Sequence, residues 1–291
     1  MNTKYKGILC ILTSAFCFAT MNMFVRLSGD LPSIEKSFFR NFVAMIISFL
    51  MIIRNKDGFR WEKGNSTLMF VRAFAGTIGI LGNFYAVDHL MLSDATMLNK
   101  MSPFFAIIFS IFLMKEKVSL SQALIVLGAF IGALFVVKPT FSNVNLFAAG
   151  IGFIGGVGAG LAYTCVRKLG TRGEKGSRIV FYFSLFSCLV TLPYMLFDFH
   201  PMTFNQLILL LLAGASAAGG QFAITAAYTY APAKEISVYD YSQVIFAAIY
   251  GFIMFNQIPD AYSFLGYLII IAMAIVMFWY NNRKPDPIRI R

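Results

Sequence analysis

Long apolar runs alternate with short polar connections along the whole chain. Ten runs approach the roughly 20 mostly apolar residues that a helix needs to cross the hydrocarbon core of a bilayer. They are residues 5–27, 34–53, 68–87, 93–114, 120–137, 146–168, 178–197, 207–229, 234–255 and 261–280. None alternates in the way a barrel strand does, and open sheet edges do not occur in lipid. The pattern therefore predicts an all-α membrane protein with ten transmembrane helices.

Composition supports this prediction. Of the 291 residues, 58% are hydrophobic and 13% are charged, whereas a typical soluble domain is about a quarter charged. The net charge of +11 would allow nucleic-acid binding, but no basic patch with interleaved aromatic residues is present. Basic residues beside membrane helices set topology instead. We therefore expect an integral multi-pass membrane protein that does not bind nucleic acid.

The distribution of Lys and Arg predicts the orientation. With both termini in the cytoplasm, about eighteen of these residues lie on the inner side, and three lie on the outer side: Arg26, Lys36 and Lys138. Cytoplasmic loops generally carry the excess of positive residues. We therefore predict that both termini, including a basic tail at 282–291, are cytoplasmic.

Matching features recur about 140 residues apart. Glu35-Lys36-Ser37 opens helix 2, and Glu174-Lys175-Gly176 precedes helix 7. Because five is an odd number of crossings, a second five-helix unit enters the membrane in the opposite direction. We predict two inverted five-helix repeats, residues 1–140 and 141–281. Secondary transporters use this plan to bind substrate near the bilayer midplane, between the repeats.

A recognisable order of short motifs occupies the stretch from Leu92 to Val137. It comprises Ser102-Pro103-Phe104-Phe105, Lys115-Glu116-Lys117, Ser121-Gln122 and Gly128-Ala129-Phe130-Ile131-Gly132. This order, together with Phe39-Arg40-Asn41 in helix 2, resembles the drug/metabolite transporter superfamily in its ten-helix EamA-type branch. The resemblance covers nearly the whole chain.

The second half follows the family pattern less closely. Gln243 stands where the first half has Pro103, and Asn256 stands where it has Glu116. The resemblance implies a cofactor-free transporter, not an enzyme, in the plasma membrane of a bacterium. It does not identify the substrate, because members of the family move amino acids, nucleotide derivatives, sugars and drugs.

Lys100 and Asp240 are the leading candidates for a binding site. They occupy equivalent positions in helices 4 and 9, each about 10 Å from the end where its helix enters the membrane, at 1.5 Å per residue. Ionisable groups inside a membrane usually mark function. The two side chains could bind a zwitterion from opposite sides, pair when the site is empty, or form a fixed structural salt bridge. Asp240 is also a candidate for proton coupling, because burial favours a protonated carboxyl group.

Uncharged polar side chains within the helices are further candidates for substrate binding: Asn83, Asn99, Tyr163, Gln221 and Tyr239. Buried amides cost free energy unless they are bonded, and interhelical hydrogen bonds of about 0.6 kcal/mol are the alternative role. The tyrosines have packing as their alternative. In the resembled family helices 3 and 8 line the cavity, which favours Asn83 and Gln221.

Other polar and small residues suggest structural roles. Arg40 and Arg72 lie one to two turns inside helices 2 and 3, where long side chains usually extend to the lipid headgroups. Glu116 matches the acid of the resembled family at the end of helix 4. We expect it to pair with Lys115, Lys117 or a loop, and we assign Arg40 and Glu116 structural or gating roles. Glycines spaced four apart in helix 6 predict close helix packing: Gly152, Gly156 and Gly160.

Three functions remain open. The favoured hypothesis is a secondary transporter, monomeric or homodimeric, that moves an amino acid or related zwitterion by alternating access. A proton or a counter-substrate is the candidate coupling partner. A membrane-embedded lipid-modifying enzyme would need clustered His, Asp or Glu at one interface, and the sequence lacks such a cluster. A channel-like subunit is the third hypothesis.

Overall fold

The computed structural model describes residues 3–90, 98–137, 145–256 and 258–283, and all regular structure within them is helical. The helices are α1 (Thr3–Leu27), α2 (Ser33–Asn55), α3 (Ser66–His89), α4 (Ser102–Met114), α5 (Leu120–Val137), α6 (Leu146–Thr171), α7 (Gly176–Phe197), α8 (Phe204–Tyr230), α9 (Ala233–Ile236), α10 (Ser242–Phe255) and α11 (Ala261–Arg283). A 3₁₀ segment, Ser237–Tyr241, joins α9 to α10.

The described part of the chain contains nine segments long and apolar enough to cross a membrane, with α9, the 3₁₀ segment and α10 counted as one. Eight predicted segments match observed helices to within three residues at either end. The prediction of a helical multi-pass membrane protein is confirmed. The predicted segment at 93–114 includes residues 93–97, which lie outside the described ranges. Helix α11 continues to Arg283, so the first two residues of the predicted tail at 282–291 are helical.

The predicted segments at 93–114 and 234–255 are interrupted helices, although the second as a whole is long and apolar enough to cross a membrane. Residues 98–99 are helical, residues 100–101 form a turn, and α4 begins at Ser102. Pro103 explains this break, since proline lacks an N–H and its ring clashes with the carbonyl four residues earlier. In the second half the 3₁₀ segment interrupts the helix without a proline inside it. Short 3₁₀ stretches within helices often mark functional hinges.

The helices of the two halves pack mainly on each other, and nearly every contact has a counterpart. Helix α1 packs on α8 as α6 packs on α3, and α4 packs on α6 as α10 packs on α1. Helix α2 packs on α7, and α5 packs on α11. A motion of one half against the other would therefore change most of the interhelical contacts in the protein.

Contacts at the two ends of α2 give its direction relative to α7. Glu35, near the start of α2, accepts a hydrogen bond from the backbone of His200, just beyond the end of α7. Asp57, beyond the end of α2, accepts one from Ser177 at the start of α7. These equivalent helices of the two halves therefore run antiparallel.

Glycines allow α6 to approach α3 and the segment before α4. A Cβ added to Gly82 of α3 would lie 2.8 Å from the carbonyl oxygen of Ile151 and 2.9 Å from the Cα of Gly155. A Cβ on Gly156 would lie 2.6 Å from the carbonyl oxygen of Leu98. Backbone atoms cannot move aside as flexible side chains can. The packing role predicted for the glycines of this helix is therefore confirmed at Gly156.

Candidate functional site

The two helix interruptions bring Lys100 and Asp240 together. Lys100 Nζ lies 3.2 Å from Oδ2 of Asp240 and donates a 2.6 Å hydrogen bond to Oε1 of Gln243. Lys100 is 5% exposed and Asp240 is 6% exposed. The sequence left open whether these two side chains pair with each other, and in the structure they are directly paired. Gln243, which the sequence marked only as a departure from Pro103, is a third member of this site.

The same residues bond across the two interruptions through their backbones. The hydroxyl of Tyr241 donates to the carbonyl oxygen of Lys100 at 3.1 Å, and Lys100 Nζ lies 3.4 Å from the carbonyl oxygen of Asp240. A broken helix releases backbone groups that must be bonded within the protein when no water is present. Each interruption therefore receives a side chain from the other half, and the two stabilise each other.

Arg72 and Arg40 point into the bundle. The guanidinium of Arg72 lies 4.1 Å from the ring centroid of Phe183, and Arg72 is 2% exposed. Arg40 is half-buried. Its guanidinium lies 5.8 Å from the ring centroid of Phe18 and donates a hydrogen bond to Oδ1 of Asn41. The expectation that Arg72 extends to the headgroups is wrong, because its helix face packs on α7 and offers an aromatic ring for a cation–π contact.

Tyr163 connects the arginines to the ion pair. Its ring stacks on that of Tyr228, with 5.1 Å between centroids and 11° between planes. Tyr163 lies near Asp240, Arg72 and Arg40. We call Arg40, Arg72, Lys100, Tyr163 and Asp240 the central cluster. Sequence reasoning missed Tyr228, because an aromatic residue in an apolar helix gives no signal that separates it from ordinary packing.

The remaining predicted binding residues are more dispersed. Gln221 and Tyr239 are buried, and neither Nε2 of Gln221 nor the hydroxyl of Tyr239 has a hydrogen-bond partner within the described ranges. Asn83 and Asn99 are half-buried, and no described hydrogen bond joins either side chain to the Lys100–Asp240 pair. Gln221 and Tyr239 thus retain unused bonding capacity, and the two asparagines are not joined to the ion pair.

Glu116 pairs with a residue that the sequence did not suggest. Its Oε1 lies 3.6 Å from Nε of Arg167, near the end of α6. Arg167 also donates a 2.8 Å hydrogen bond to the carbonyl oxygen of Thr229, at the end of α8. The expected pairing with Lys115 or Lys117 is wrong, because Lys115 adopts a left-handed conformation that terminates α4. Glu116 instead ties α4 to the second half.

A buried carboxylate joins the halves at one end of α2. Oε2 of Glu174 accepts hydrogen bonds from the backbone N–H of Glu62 and from Asn65, both at 3.0 Å. Its Oε1 accepts a 2.9 Å bond from Arg178, which also donates to the carbonyl oxygen of Gly58. We call these five residues the Glu174 cluster. Burial raises the pKa of the Glu174 carboxyl, but these bonds outweigh burial and hold it below its ordinary value.

An analogous contact lies at the other end of α2. The side chain of Glu35 is fully buried, and its Oε1 accepts bonds from the backbone N–H of His200 at 2.7 Å and from Nδ1 of His200 at 3.2 Å. The His200 side chain is 52% exposed. We call Glu35 and His200 the Glu35 cluster. Each cluster thus joins one half to a loop of the other through a buried glutamate.

The Lys100–Asp240 pair is nearly fully buried. Two shallow surface grooves of about 220 and 340 Å³ lie along the end of α11, beside Trp279 and Arg283, and neither is lined by Lys100 or Asp240. A solute that bound to the pair would therefore have to separate the helices around it.

Comparison with known proteins agrees with this architecture. The model of the EamA-like transporter family matches residues 5–138 and 146–279. The pseudopaline exporter CntI of Pseudomonas aeruginosa is 31% identical over 93% of this chain and 95% of its own length. Human solute carrier family 35 member G1 is 27% identical, over 96% of this chain and 81% of its own.

Two further similarities are more distant. The riboflavin transporter of Vibrio cholerae is 26% identical, over 96% of this chain and 95% of its own. A crystal structure of a protein at 12% identity superposes with a TM-score of 0.82 and covers 95% of this chain and 99% of its own. At that identity the likeness extends to the fold alone. The two family matches together span nearly the whole chain, so the protein belongs to the EamA-like transporter family and is a membrane transporter, not an enzyme.

Proposed function

We propose that this protein is a secondary transporter that moves a small organic solute across the bacterial cytoplasmic membrane by alternating access. The observation that carries the proposal is the meeting of two interrupted helices at the buried Lys100–Asp240 pair. Interrupted helices at the interface of two repeats form the substrate sites of many carriers. In the closed conformation the pair is bonded to itself, and a solute must displace it.

Inverted repeats are supported by the packing of the halves. Nearly every contact of one half has a counterpart in the other, and the equivalent helices α2 and α7 run antiparallel. The family model also matches the chain twice, in agreement with halves at 1–140 and 141–281. The bias of Lys and Arg supports the assignment of both termini to the cytoplasm.

Two gates are proposed at the ends of α2. Glu35 and Glu174 occupy equivalent places in the two halves, and each carboxylate accepts a backbone N–H from a loop of the opposite half. Opening one cluster while the other stays closed would expose the central cluster to one side at a time. With the proposed orientation, the Glu35 cluster faces outward and the Glu174 cluster faces the cytoplasm.

The relatives support an organic solute as the cargo. One is described as an exporter of pseudopaline and another as a riboflavin transporter. An amino acid or related zwitterion is the first class to screen, because its two charged groups could replace the partners of Lys100 and Asp240. Asp240 is the proposed site of proton coupling, since its carboxylate loses its cation whenever Lys100 turns to a substrate.

Counterflow in proteoliposomes tests the transport mechanism. Vesicles preloaded with unlabelled solute should accumulate labelled solute transiently, with saturation as its concentration rises. Asp240→Asn should abolish uptake or remove its dependence on pH, while Lys117→Met, a change at an exposed lysine, should leave both unchanged. Flux that stays linear in concentration and shows no trans-stimulation would contradict a carrier and favour a channel.

A further inference from the structure

Arg72 is a buried cation with an unused hydrogen-bond donor. It is 2% exposed, and its Nε has no hydrogen-bond partner in the described part of the chain. Gly76, one turn further along α3, makes room for it: a Cβ there would overlap Nη1 of Arg72 and lie 2.7 Å from Cε2 of Phe183. The protein thus holds the guanidinium in place by shape and by an aromatic ring, and leaves its Nε–H without a partner.

The buried acids near the halves' interface are already bonded to other residues. The described pairs are Asp240 with Lys100, Glu116 with Arg167, Glu174 with Arg178 and Glu35 with His200. Within the described ranges no acidic side chain lies at ion-pair distance from Arg72 or Arg40. The hydrogen bond described for the Arg40 side chain goes to the neutral amide of Asn41.

The central cluster therefore carries excess positive charge. The Lys100–Asp240 pair is neutral as a unit, whereas Arg40 and Arg72 add two positive charges that repel each other electrostatically. Charged groups inside a membrane generally pair with one another or with a ligand, because leaving them unpaired is costly. Among the described residues, the cluster has two such cations and no acid that is not already paired. An anion that enters the cluster would offset this excess of positive charge.

The chemistry of the donors points to the class of anion. A guanidinium presents N–H groups in a planar fork that matches the two oxygens of a carboxylate or phosphate. Tyr163, which lies near both arginines, adds a hydroxyl to the cluster. Its ring, stacked on Tyr228, offers an apolar face for the organic part of a solute. A simple inorganic ion would leave that face unused.

We propose that the transported solute is an organic anion with a net negative charge, whose carboxylate or phosphate group is bound by Arg72 and Arg40. This inference rests on the proposed transport function and narrows its substrate class from zwitterions to net anions. The arginines are the primary contacts for the acidic group, and the Lys100–Asp240 pair responds to it by opening.

Thermal unfolding of the purified full chain in detergent tests this proposal with defined probes. Citrate represents carboxylates, glucose 6-phosphate represents phosphates, and glucose and putrescine are the neutral and cationic controls, all at one ionic strength. One or both anions should raise the apparent Tm of the wild type, because a ligand that binds the folded state stabilises it. Which anion acts distinguishes a carboxylate site from a phosphate site.

Variants at Arg72 assign the effect to the site. Arg72→Met should weaken the response about tenfold to hundredfold in apparent affinity, the loss expected for a hydrogen bond to a charged group. Arg72→Lys should retain part of it, and Arg54→Gln, at an exposed arginine, should retain all of it. Without any probe, Arg72→Met should unfold at a higher temperature than the wild type, because it removes an unpaired buried charge.

Two results would overturn the proposal. One is a wild type that responds to the anions no more than Arg72→Met does. The other is a lower Tm of probe-free Arg72→Met, which would make Arg72 a structural residue. Counterflow measurements distinguish a wrong substrate class from a wrong transport mechanism. Saturable counterflow of glucose or putrescine, unaffected by Arg72→Met, would leave a carrier with a different substrate class, whereas linear flux without trans-stimulation would reject the carrier itself.

Discussion

Removing one partner of the Lys100–Asp240 pair tests whether the two helix interruptions hold each other. Lys100→Met leaves the Asp240 carboxylate 6% exposed and without its cation. Breaking a buried ion pair from one side costs about 3–5 kcal/mol. At roughly 2–4 °C for each kcal/mol in a domain of about this size, the apparent Tm should fall by about 6–20 °C.

The reverse substitution should cost less. In Asp240→Asn the ammonium of Lys100 keeps its 2.6 Å bond to Gln243, so we expect the lower end of the same range. The double variant Lys100→Met/Asp240→Asn has no charge left at this pair. Because replacing a whole buried pair is often nearly neutral, it should recover most of the stability lost in Lys100→Met.

The assay is a double-mutant cycle of thermal unfolding in detergent, with Lys117→Met as a surface control expected within about 0.5 kcal/mol of the wild type. Non-additivity isolates the pairwise interaction, since residues in direct contact couple while distant ones add. The reasoning fails if the double variant loses as much stability as the two single variants together. It also fails if Lys100→Met unfolds at the wild-type temperature.

Three further outcomes are expected. Gly82→Val should lower the apparent Tm strongly, because the added Cβ would meet the backbone of α6. Gly150→Ala, whose Cβ would meet nothing within 4 Å, should keep or raise the Tm. Equal effects of the two substitutions would contradict tight packing at Gly82. The pKa of Glu174 lies below its ordinary value, so the ionised carboxylate stabilises the folded protein at neutral pH, and this stabilisation is lost as the pH falls through the lowered pKa. The Tm difference between the wild type and Glu174→Gln should therefore vanish in acid. A difference that stays constant with pH would refute this. For a cysteine placed in the central cluster, Glu35→Gln should increase labelling by an impermeant reagent added on the outer side. Glu174→Gln should increase labelling by the same reagent added on the inner side. If both substitutions increased labelling from the same side, the two clusters would not be opposite gates.

The sequence predicted the helices well because each must be apolar over a length that the bilayer sets. It predicted the equivalence of Lys100 and Asp240 because a charge in an apolar run is conspicuous. It did not predict the 3₁₀ segment around Asp240, since Ser237 to Tyr241 lacks the proline that explains the first interruption. That break is stabilised by bonds from Lys100, 140 residues away, and no local pattern reports such a contact.

The failure at Arg72 has a different cause. Its position near the end of a helix fits an arginine that extends to the headgroups, because hydropathy gives depth but not the direction in which a side chain points. The direction depends on Phe183 and Gly76, which form the space for the guanidinium. Likewise, Glu116 has two lysines beside it in sequence, yet its partner Arg167 comes from a helix in the other half.

The two glutamate clusters differ in the side chain that binds the carboxylate. Glu174 accepts a bond from Arg178, whose side chain is 8% exposed, whereas Glu35 accepts one from His200, whose side chain is 52% exposed. In the proposed gating cycle, opening therefore costs more at the arginine end than at the histidine end. Each difference of about 1.4 kcal/mol multiplies a population ratio tenfold, so the empty protein should spend most of its open time facing the histidine side. Opening at Arg178 would then be the slow step of the cycle, and a solute would speed transport most by lowering that barrier.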